Sequence, residues 1–164
     1  MAKAFFGENY YLLTDALMSS KEASRIMKEE KNNQRVFKMF DHVTISVSGI
    51  GSFYPTEESV LASPDFMFTE DLEMLKQENV SGDIALRFFD HDGQECNTTL
   101  KERMISISME QFKKIDRKIS LVSGVSKANA VLSALKGGLV DVLILDSNLA
   151  EALLKLSEDM SSQE

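Results

Sequence analysis

The amino-acid sequence predicts an α/β domain with a mainly parallel sheet flanked by helices. In the last third of the chain, apolar runs typical of buried strands at 118–123 and 140–145 alternate with helical patterns at 127–136 and 146–156. Gly137-Gly138 follows the first of these helices, and glycine commonly ends a helix. Strands that alternate with helices at this spacing favour parallel pairing, with the helices packed on the sheet.

The first two thirds of the chain contain shorter predicted elements. The predicted elements are a strand at 10–13, helices at 21–30 and 34–40, a strand at 42–48, a helix capped by Thr69, and strands at 82–89 and 104–107. Asn32-Asn33 is expected to separate the first two helices. Pro55 and Pro64 fall in the loop before Thr69.

Length and charge limit the classes of protein. A chain of 164 residues suits a single domain. The net charge of −8 argues against a protein that coats nucleic acid or an anionic membrane surface, because both need an excess of Lys and Arg. One cysteine, Cys96, excludes an intrachain disulfide, and no apolar run approaches the roughly 20 residues that span a bilayer. We therefore expect a cytoplasmic protein that uses no cofactor and contacts no membrane.

The turn at 123–127, Ser-Gly-Val-Ser-Lys, is the first candidate anion site. It lies between a predicted strand and a predicted helix, so backbone N–H groups near Gly124 and Ser126 would face an anion at a helix N-terminus. Lys127 would add a full positive charge. An ordinary turn with a solvated lysine is the alternative, because such turns occur throughout α/β domains.

A second segment, Ser48-Gly49-Ile50-Gly51-Ser52, follows the predicted strand at 42–48. It is not a dinucleotide-binding fingerprint, because the third glycine is absent and no helix begins at once. A glycine loop at the carboxyl end of a parallel strand would suit the floor of a ligand pocket. A tight turn that binds nothing is the alternative.

Signs of metal binding or catalysis are scarce. Asp90-His91-Asp92-Gly93 lacks the further oxygen ligands of a calcium loop and the additional ligands of a zinc site, so it indicates a turn. His42 and His91 are the only histidines, and the sequence contains no nucleophile elbow and no phosphate-binding loop. A stripe of basic residues at 21–38 is interleaved with glutamates, which indicates a solvated face. We predict no metal site.

A longer pattern runs through the second half of the chain. Its parts are Gly82-Asp83, Arg87-Phe88-Phe89-Asp90, Thr99-Leu100 with Arg103, Ile105 to Ser108, the Gly-x-x-Lys turn at 124–127, the helix at 130–135, Gly137-Gly138 and Asp146. In this order and spacing, the pattern resembles the C-terminal part of the effector-binding domain of SorC-family bacterial transcriptional regulators. The segment VSGIGS at 47–52 also fits, so the resemblance covers nearly the whole chain.

The resemblance implies a function and a set of site residues. Members of this family sense a phosphorylated sugar or a related metabolite, in a fold akin to sugar-phosphate isomerases and deaminases. Residues 1–157 would form the C-terminal portion of that effector-binding domain, followed by a polar tail at 158–164. The implied ligand-binding residues are Lys127 with Gly124 and Ser126 at the phosphate, Gly49 and Gly51 in the pocket floor, and Asp83, Ile84 and Ala85 on the sugar-facing wall.

Two departures from the family pattern affect these expectations. A second glycine often follows the glycine-acid pair, where this chain has Leu86, which could narrow the pocket or change its ligand. Family members are about twice this length and begin with a helix-turn-helix domain, then a strand and a glycine/threonine-rich loop that helps to hold the ligand phosphate. We therefore expect a partial domain that contacts DNA only through a helix-turn-helix domain absent from this chain. An uncovered sheet edge or apolar face should make it a homo-oligomer.

Two other functions stay open at this point. The related enzymes suggest a sugar-phosphate isomerase or deaminase, although Ser52-Phe53-Tyr54 supplies neither a carboxylate nor a histidine for acid–base catalysis. A purely structural oligomerisation domain is the third possibility. Stabilisation by a ligand would distinguish a sensor from a structural domain.

Overall fold

The computed structural model describes residues 2–54, 56–57, 59–63 and 65–161, so Pro55 and Pro64 lie outside the described residues. The α-helices are α1 Lys21–Glu29, α2 Lys31–Met39, α3 Thr69–Gln77, α4 Leu100–Arg103, α5 Met109–Lys113, α6 Ala128–Lys136 and α7 Ser147–Ser161. The strands are β1 Ile45–Ser48, β2 Ile50–Ser52, β3 Gly82–Ile84, β4 Arg87–Phe89, β5 Arg117–Val122 and β6 Val142–Leu145.

The strands form a parallel sheet and an antiparallel sheet. The parallel sheet has the order β1-β5-β6, and Ile119 in its central strand pairs with Val47 on one side and Val142 on the other. The antiparallel sheet has the order β2-β3-β4. One hydrophobic core joins both sheets, because Phe89 of β4 and Val131 of α6 belong to the same buried cluster as Val122 of β5. The predicted α/β class, with parallel strands flanked by helices, is confirmed.

The last third of the chain follows the sequence prediction closely. β5, α6 and β6 lie within or beside their predicted ranges, and α6 ends at Gly137-Gly138. Helix α7 continues to Ser161, past its predicted end at 156, so the predicted tail begins as helix. Lys127 precedes α6 in a short 3-10 turn, Val125–Lys127.

Several boundaries in the first third differ from the prediction. Asn32-Asn33 does not separate two helices, because α2 begins at Lys31 and the break lies at Glu30, whose φ and ψ are −57° and 135°. Asn33 is instead buried, and its side-chain amide donates to the Met27 carbonyl over 2.9 Å. Helix α3 begins at Thr69 itself, with the preceding residue as its N-cap.

The predicted strands at 10–13 and 104–107 are wrong. Residues 10–13 are held by α2 and not by a sheet: the Asn33 side-chain oxygen accepts the Leu13 N–H over 3.1 Å, and the Asn32 side chain donates to the Tyr11 carbonyl over 3.0 Å. Within 104–107 the only pairing in the described chain is the isolated bridge of Met104.

The segment 82–89 is a hairpin and not one strand. Its turn residues, Ala85 and Leu86, have φ values of 50° and 63°, in the left-handed region that side chains rarely adopt. Two successive residues of this kind reverse the chain, so β3 and β4 pair antiparallel. A glycine at the position of Leu86 would adopt this backbone without strain.

The predicted glycine loop at 48–52 is also wrong in part. Ile50–Ser52 is the strand β2, and Gly51 lies opposite Asp83 in the antiparallel sheet. The chain therefore passes from the parallel sheet to the antiparallel sheet at Gly49. This crossover brings the carboxyl end of β1 next to the hairpin.

One face of the parallel sheet carries exposed aliphatic side chains. Ile45 and Val47 of β1, Leu121 of β5 and Ile144 of β6 are 50–61% exposed. On β5 the alternate positions Lys118, Ser120 and Val122 are buried, so helices and the second sheet cover the other face. Parallel sheets are ordinarily covered on both faces, which makes this patch a candidate self-association surface.

We expect this chain to self-associate through the exposed sheet face. Leu121→Glu should shift sedimentation velocity profiles toward the monomer, because a charge at the centre of an apolar contact is costly to bury. Ile26→Glu is the matched control, since Ile26 is also 50% exposed and its helix, α1, packs against α2 and α4. A well-folded monomer at all wild-type concentrations would contradict the expectation.

Candidate functional site

A cleft opens where the carboxyl end of β1, the β2–β3 pair and the turn before α6 meet. Its volume is about 450 Å³. The residues that line it are Ala16, Ser48, Gly49, Ile50, Gly51, Ser59, Val60, Leu61, Phe66, Asp83, Ala85, Leu86 and Lys127. The cleft therefore brings together Lys127, Gly49, Gly51, Asp83 and Ala85, which the sequence assigned to a common site.

Asp83 supplies the one carboxylate among the described residues that line the cleft. Its side chain is buried, and Ser59 Oγ donates to its Oδ1 over 2.5 Å. Burial raises the pKa of Asp83 from 3.8 to about 6, although the Ser59 hydrogen bond and the positive charge of Lys127 both act to lower it. The carboxylate has further lone pairs that can accept hydrogen bonds from a ligand. Its charged form is destabilised because the group is removed from water.

Lys127 is the one lysine or arginine among the described lining residues. It is half-buried, and its N–H donates to the Gly124 carbonyl over 3.1 Å, which closes the 3-10 turn. Its positive charge acts to lower the pKa of Asp83, so two opposite charges lie in the same cleft. An anion that enters would meet Lys127 together with a neighbouring acid and not an isolated cation.

Gly51 is needed for the Asp83–Ser59 hydrogen bond. A Cβ built on Gly51 would lie 2.0 Å from Asp83 Oδ1 and 2.6 Å from Ser59 Oγ, far inside van der Waals contact. Only a glycine lets this strand approach the buried pair so closely. The site therefore depends on the absence of a side chain at this position.

We expect Gly51→Ala to lower the free energy of unfolding by roughly 1–3 kcal/mol, because the new methyl group must displace the Asp83–Ser59 pair. Gly49→Ala is the matched control for stability. The nearest atom to a Cβ there is the Leu121 carbonyl oxygen at 3.8 Å, an ordinary contact. Denaturant unfolding of the three proteins tests this, and equal destabilisation by both substitutions would contradict it.

Three residues assigned to the site lie elsewhere. Ile84 is 1% exposed and belongs to the core, because it alternates with Asp83 along β3 and faces the other way. Gly124 and Ser126 do not line the cleft. The Gly124 N–H donates to Asp146 Oδ2 over 2.8 Å, so it is not directed at a ligand. The Ser126 carbonyl lies 3.5 Å from Ser52 Oγ, which links the turn to β2.

One wall of the cleft was not anticipated from the sequence. It comes from Ser59, Val60, Leu61 and Phe66, and Val60–Ala62 forms a 3-10 turn capped by Ser59. The Ser59 hydroxyl accepts the Leu61 N–H over 3.1 Å while it donates to Asp83, so one side chain joins this wall to β3. Serine before a turn is a cap signal, but nothing in the local sequence indicates its distant partner.

The described residues contain no cluster of side chains that could hold a metal ion. Within them, no three His, Cys, Asp or Glu side chains come together as a metal site would require. The turn at 90–93 is explained by Asp90 Oδ1, which accepts the N–H groups of Asp92 and Gln94 over 3.0 and 2.9 Å. Burial raises the pKa of Cys96 to about 12, so its thiol is not activated. No helix in the described part of the chain is long and apolar enough to cross a membrane.

Comparison with known proteins identifies the family. Residues 1–155 match the Sugar-bind family, described as "Putative sugar-binding domain". The chain belongs to this family. Among the curated proteins, it is 27% identical over 153 residues to the deoxyribonucleoside regulator of Bacillus subtilis and 28% identical over 127 residues to the sorbitol operon regulator of Klebsiella pneumoniae.

Solved structures of bacterial transcriptional regulators share the fold. A DeoR family transcriptional regulator from Listeria monocytogenes matches with a TM-score of 0.84 at 30% identity, covering 93% of this chain and 61% of that chain. The full-length sorbitol operon regulator of Klebsiella pneumoniae matches with a TM-score of 0.83 at 25% identity, covering 93% of this chain and 49% of that chain.

The match covers most of this chain and only part of each relative. The aligned residues amount to 93% of this chain and 48% of the Bacillus protein, and to 77% of this chain and 40% of the Klebsiella protein. The chain thus spans about half the length of these regulators or less. The prediction of a sugar-binding domain akin to those of SorC-type transcriptional regulators is confirmed.

Proposed function

We propose that the cleft binds a phosphorylated sugar or a related phosphorylated carbohydrate, as the ligand-sensing part of a bacterial transcriptional regulator. The observation that supports this most is the presence of Lys127 and the buried Asp83 in one cleft of about 450 Å³. Lys127 meets the phosphate through a charge-assisted hydrogen bond. Asp83 accepts hydrogen bonds from sugar hydroxyl groups.

The rest of the lining suits the carbon face of a sugar. Ile50, Leu61, Phe66 and Leu86 contribute apolar surface around the two charged groups. Ligand sites commonly combine such apolar walls with a few polar groups that fix orientation. A small sugar phosphate fits this combination better than a ligand with charges at both ends, since the described lining has a single cation.

The names of the relatives support the choice of carbohydrate probes. One relative is a deoxyribonucleoside regulator and another is a sorbitol operon regulator. We therefore propose 2-deoxyribose 5-phosphate and sorbitol 6-phosphate as first probes, each beside its unphosphorylated parent.

The proposed mechanism is a population shift. The ligand binds one arrangement of the domain better than another and stabilises it, and the whole regulator responds by rearranging its oligomer. DNA contact belongs to a separate helix-turn-helix domain of such a regulator, because this chain has a net charge of −8. The regulator acts in the cytoplasm, and this domain performs no catalysis.

Thermal unfolding in the presence of the four probes tests the proposal. We expect stabilisation by a phosphorylated probe, approaching about 2.7 kcal/mol when its concentration is a hundredfold above Kd. Assays for isomerised or deaminated product, with glucosamine 6-phosphate included, should match a no-protein control. Turnover that a cleft substitution abolishes would favour the enzyme, and no stabilisation by any sugar phosphate would favour a structural oligomerisation domain.

A further inference from the structure

We propose that Asp146 is a positioning residue of the cleft, which holds the turn that carries Lys127 and links this turn to the start of α7. The part of this inference that concerns ligand affinity rests on the proposed function. The part that concerns the position of Lys127 does not need a ligand.

The two carboxylate oxygens of Asp146 bind two different elements. Oδ2 accepts the Gly124 N–H over 2.8 Å, and Oδ1 accepts the Leu149 N–H over 3.0 Å in the first turn of α7. The Ser123 side chain also hydrogen-bonds to this carboxylate. These donors hold the pKa of Asp146 below its usual value, with the Gly124 N–H as the largest cause, so the group is ionised at neutral pH.

The backbone turn that begins at Gly124 determines the position of Lys127. Gly124 has a φ of 102°, and its carbonyl accepts the Lys127 N–H over 3.1 Å across the turn. The bond from Asp146 therefore restrains the first residue of a short, hydrogen-bonded turn whose last residue is the cation of the cleft. Asp146 itself does not line the cleft.

The same carboxylate connects the cleft to the last helix. Because one oxygen caps α7 and the other holds the Gly124 turn, a displacement of the turn on ligand binding acts directly on the N-terminus of α7. Helix α7 also packs against the turn and against α6. Lys127 is thus connected to the 15-residue helix α7 by the backbone of the turn and by the hydrogen bonds of Asp146.

Asp146→Asn is the variant that isolates this role. Asparagine caps helices about as well as aspartate, so α7 should keep its cap. Asparagine has one acceptor oxygen for the two N–H donors of Gly124 and Leu149, so it can keep one of these hydrogen bonds and not both, whereas Asp146→Ala removes both acceptors. Asp141→Asn is the control for loss of a carboxylate elsewhere, because Asp141 Oδ2 accepts the Lys118 N–H over 2.7 Å and pairs with Lys118 Nζ over 2.9 Å near the opposite end of β5, and Asp141 does not line the cleft.

The first measurement follows the titration of the Asp83 carboxyl by NMR, without any ligand. The charge of Lys127 lowers the pKa of Asp83, so a turn that is no longer held should let this pKa rise. We expect both Asp146→Asn and Lys127→Ala to raise the pKa of Asp83. The double variant should have the same Asp83 pKa as Lys127→Ala alone. Asp141→Asn should leave it unchanged. An Asp83 titration that is the same in wild type, in Asp146→Asn and in Asp146→Ala would overturn the inference.

The second measurement is the affinity for 2-deoxyribose 5-phosphate and sorbitol 6-phosphate by calorimetry. Loss of one hydrogen bond to a positioning residue should weaken binding by roughly three- to tenfold, with little change for Asp141→Asn. If neither probe binds wild type, the proposed function is contradicted for these sugars while the titration still decides the role of Asp146. If they bind Asp146→Asn as tightly as wild type, the role of Asp146 in ligand binding is contradicted and the proposed function stands.

Discussion

Replacing Lys127 with alanine is expected to weaken the binding of a phosphorylated sugar by roughly ten- to a hundredfold. Hydrogen bonds to charged groups contribute about 1.5–3 kcal/mol, and Lys127 is the one lysine or arginine in the described lining of the cleft. The fold should survive, because the side chain is only half-buried and takes no part in the hydrophobic core. Calorimetric titration of both proteins with the sugar phosphate that stabilises wild type most gives the ratio of affinities.

Lys136→Ala is the control for this measurement. Lys136 lies at the far end of α6, is exposed, and does not line the cleft. Its removal changes the net charge by the same amount as the loss of Lys127, so the two variants separate a local contact from a general electrostatic effect. Equal affinities of wild type and Lys127→Ala would remove the phosphate from this turn.

Asp83→Asn is expected to stabilise the protein at neutral and higher pH. The pKa of Asp83 is raised in the folded state from 3.8 to about 6, so the folded chain holds this proton more tightly than the unfolded chain. Stability from this group is therefore fully present below about pH 4 and is lost as the pH rises toward about 6. A shift of this size corresponds to at most about 3 kcal/mol.

Asparagine cannot ionise, so the stability of the variant should not fall as the pH rises through this range. Its side-chain oxygen can still accept a hydrogen bond from the Ser59 hydroxyl. Denaturant unfolding should give nearly equal stabilities at about pH 4 and a more stable variant above about pH 7. Asp92→Asn, at an exposed position in the turn at 90–93, is the control and should show no such divergence. A wild type that is at least as stable as Asp83→Asn at high pH would contradict the assignment of a costly buried charge.

The sequence was most informative where structure depends on local signals. β5, α6 and β6 could be predicted because apolar strand patterns and a Gly-Gly helix stop lie within a few residues of one another. The hairpin at 82–89 could not, because its turn uses Ala85 and Leu86 in the left-handed region, where glycine or asparagine would have signalled a reversal. The strand β2 could not either, since its pairing with β3 joins residues far apart in the chain.

The same distinction applies to the cleft. Asp83, Gly51 and Lys127 line one cleft, and they could be selected from the sequence because each stands in a motif of the family that the sequence resembles. Gly124 was assigned as a phosphate donor because its place in the turn is a local feature. The carboxylate that takes its N–H belongs to Asp146, beyond α6 and β6, and no local pattern indicates that contact. Ser59 was missed for the same reason, since its partner lies on β3.

The most direct test of the site is a thermodynamic cycle in which the phosphate is removed from the ligand and the Lys127 side chain is removed from the protein, separately and together. Calorimetry would measure the affinities of wild type and Lys127→Ala for a phosphorylated sugar and for the same sugar without its phosphate. We expect the phosphate to increase the affinity of wild type by at least about tenfold and that of Lys127→Ala by much less. The same preference for the phosphorylated sugar in both proteins, or no preference in wild type, would contradict the assignment of this cleft as a sugar-phosphate site.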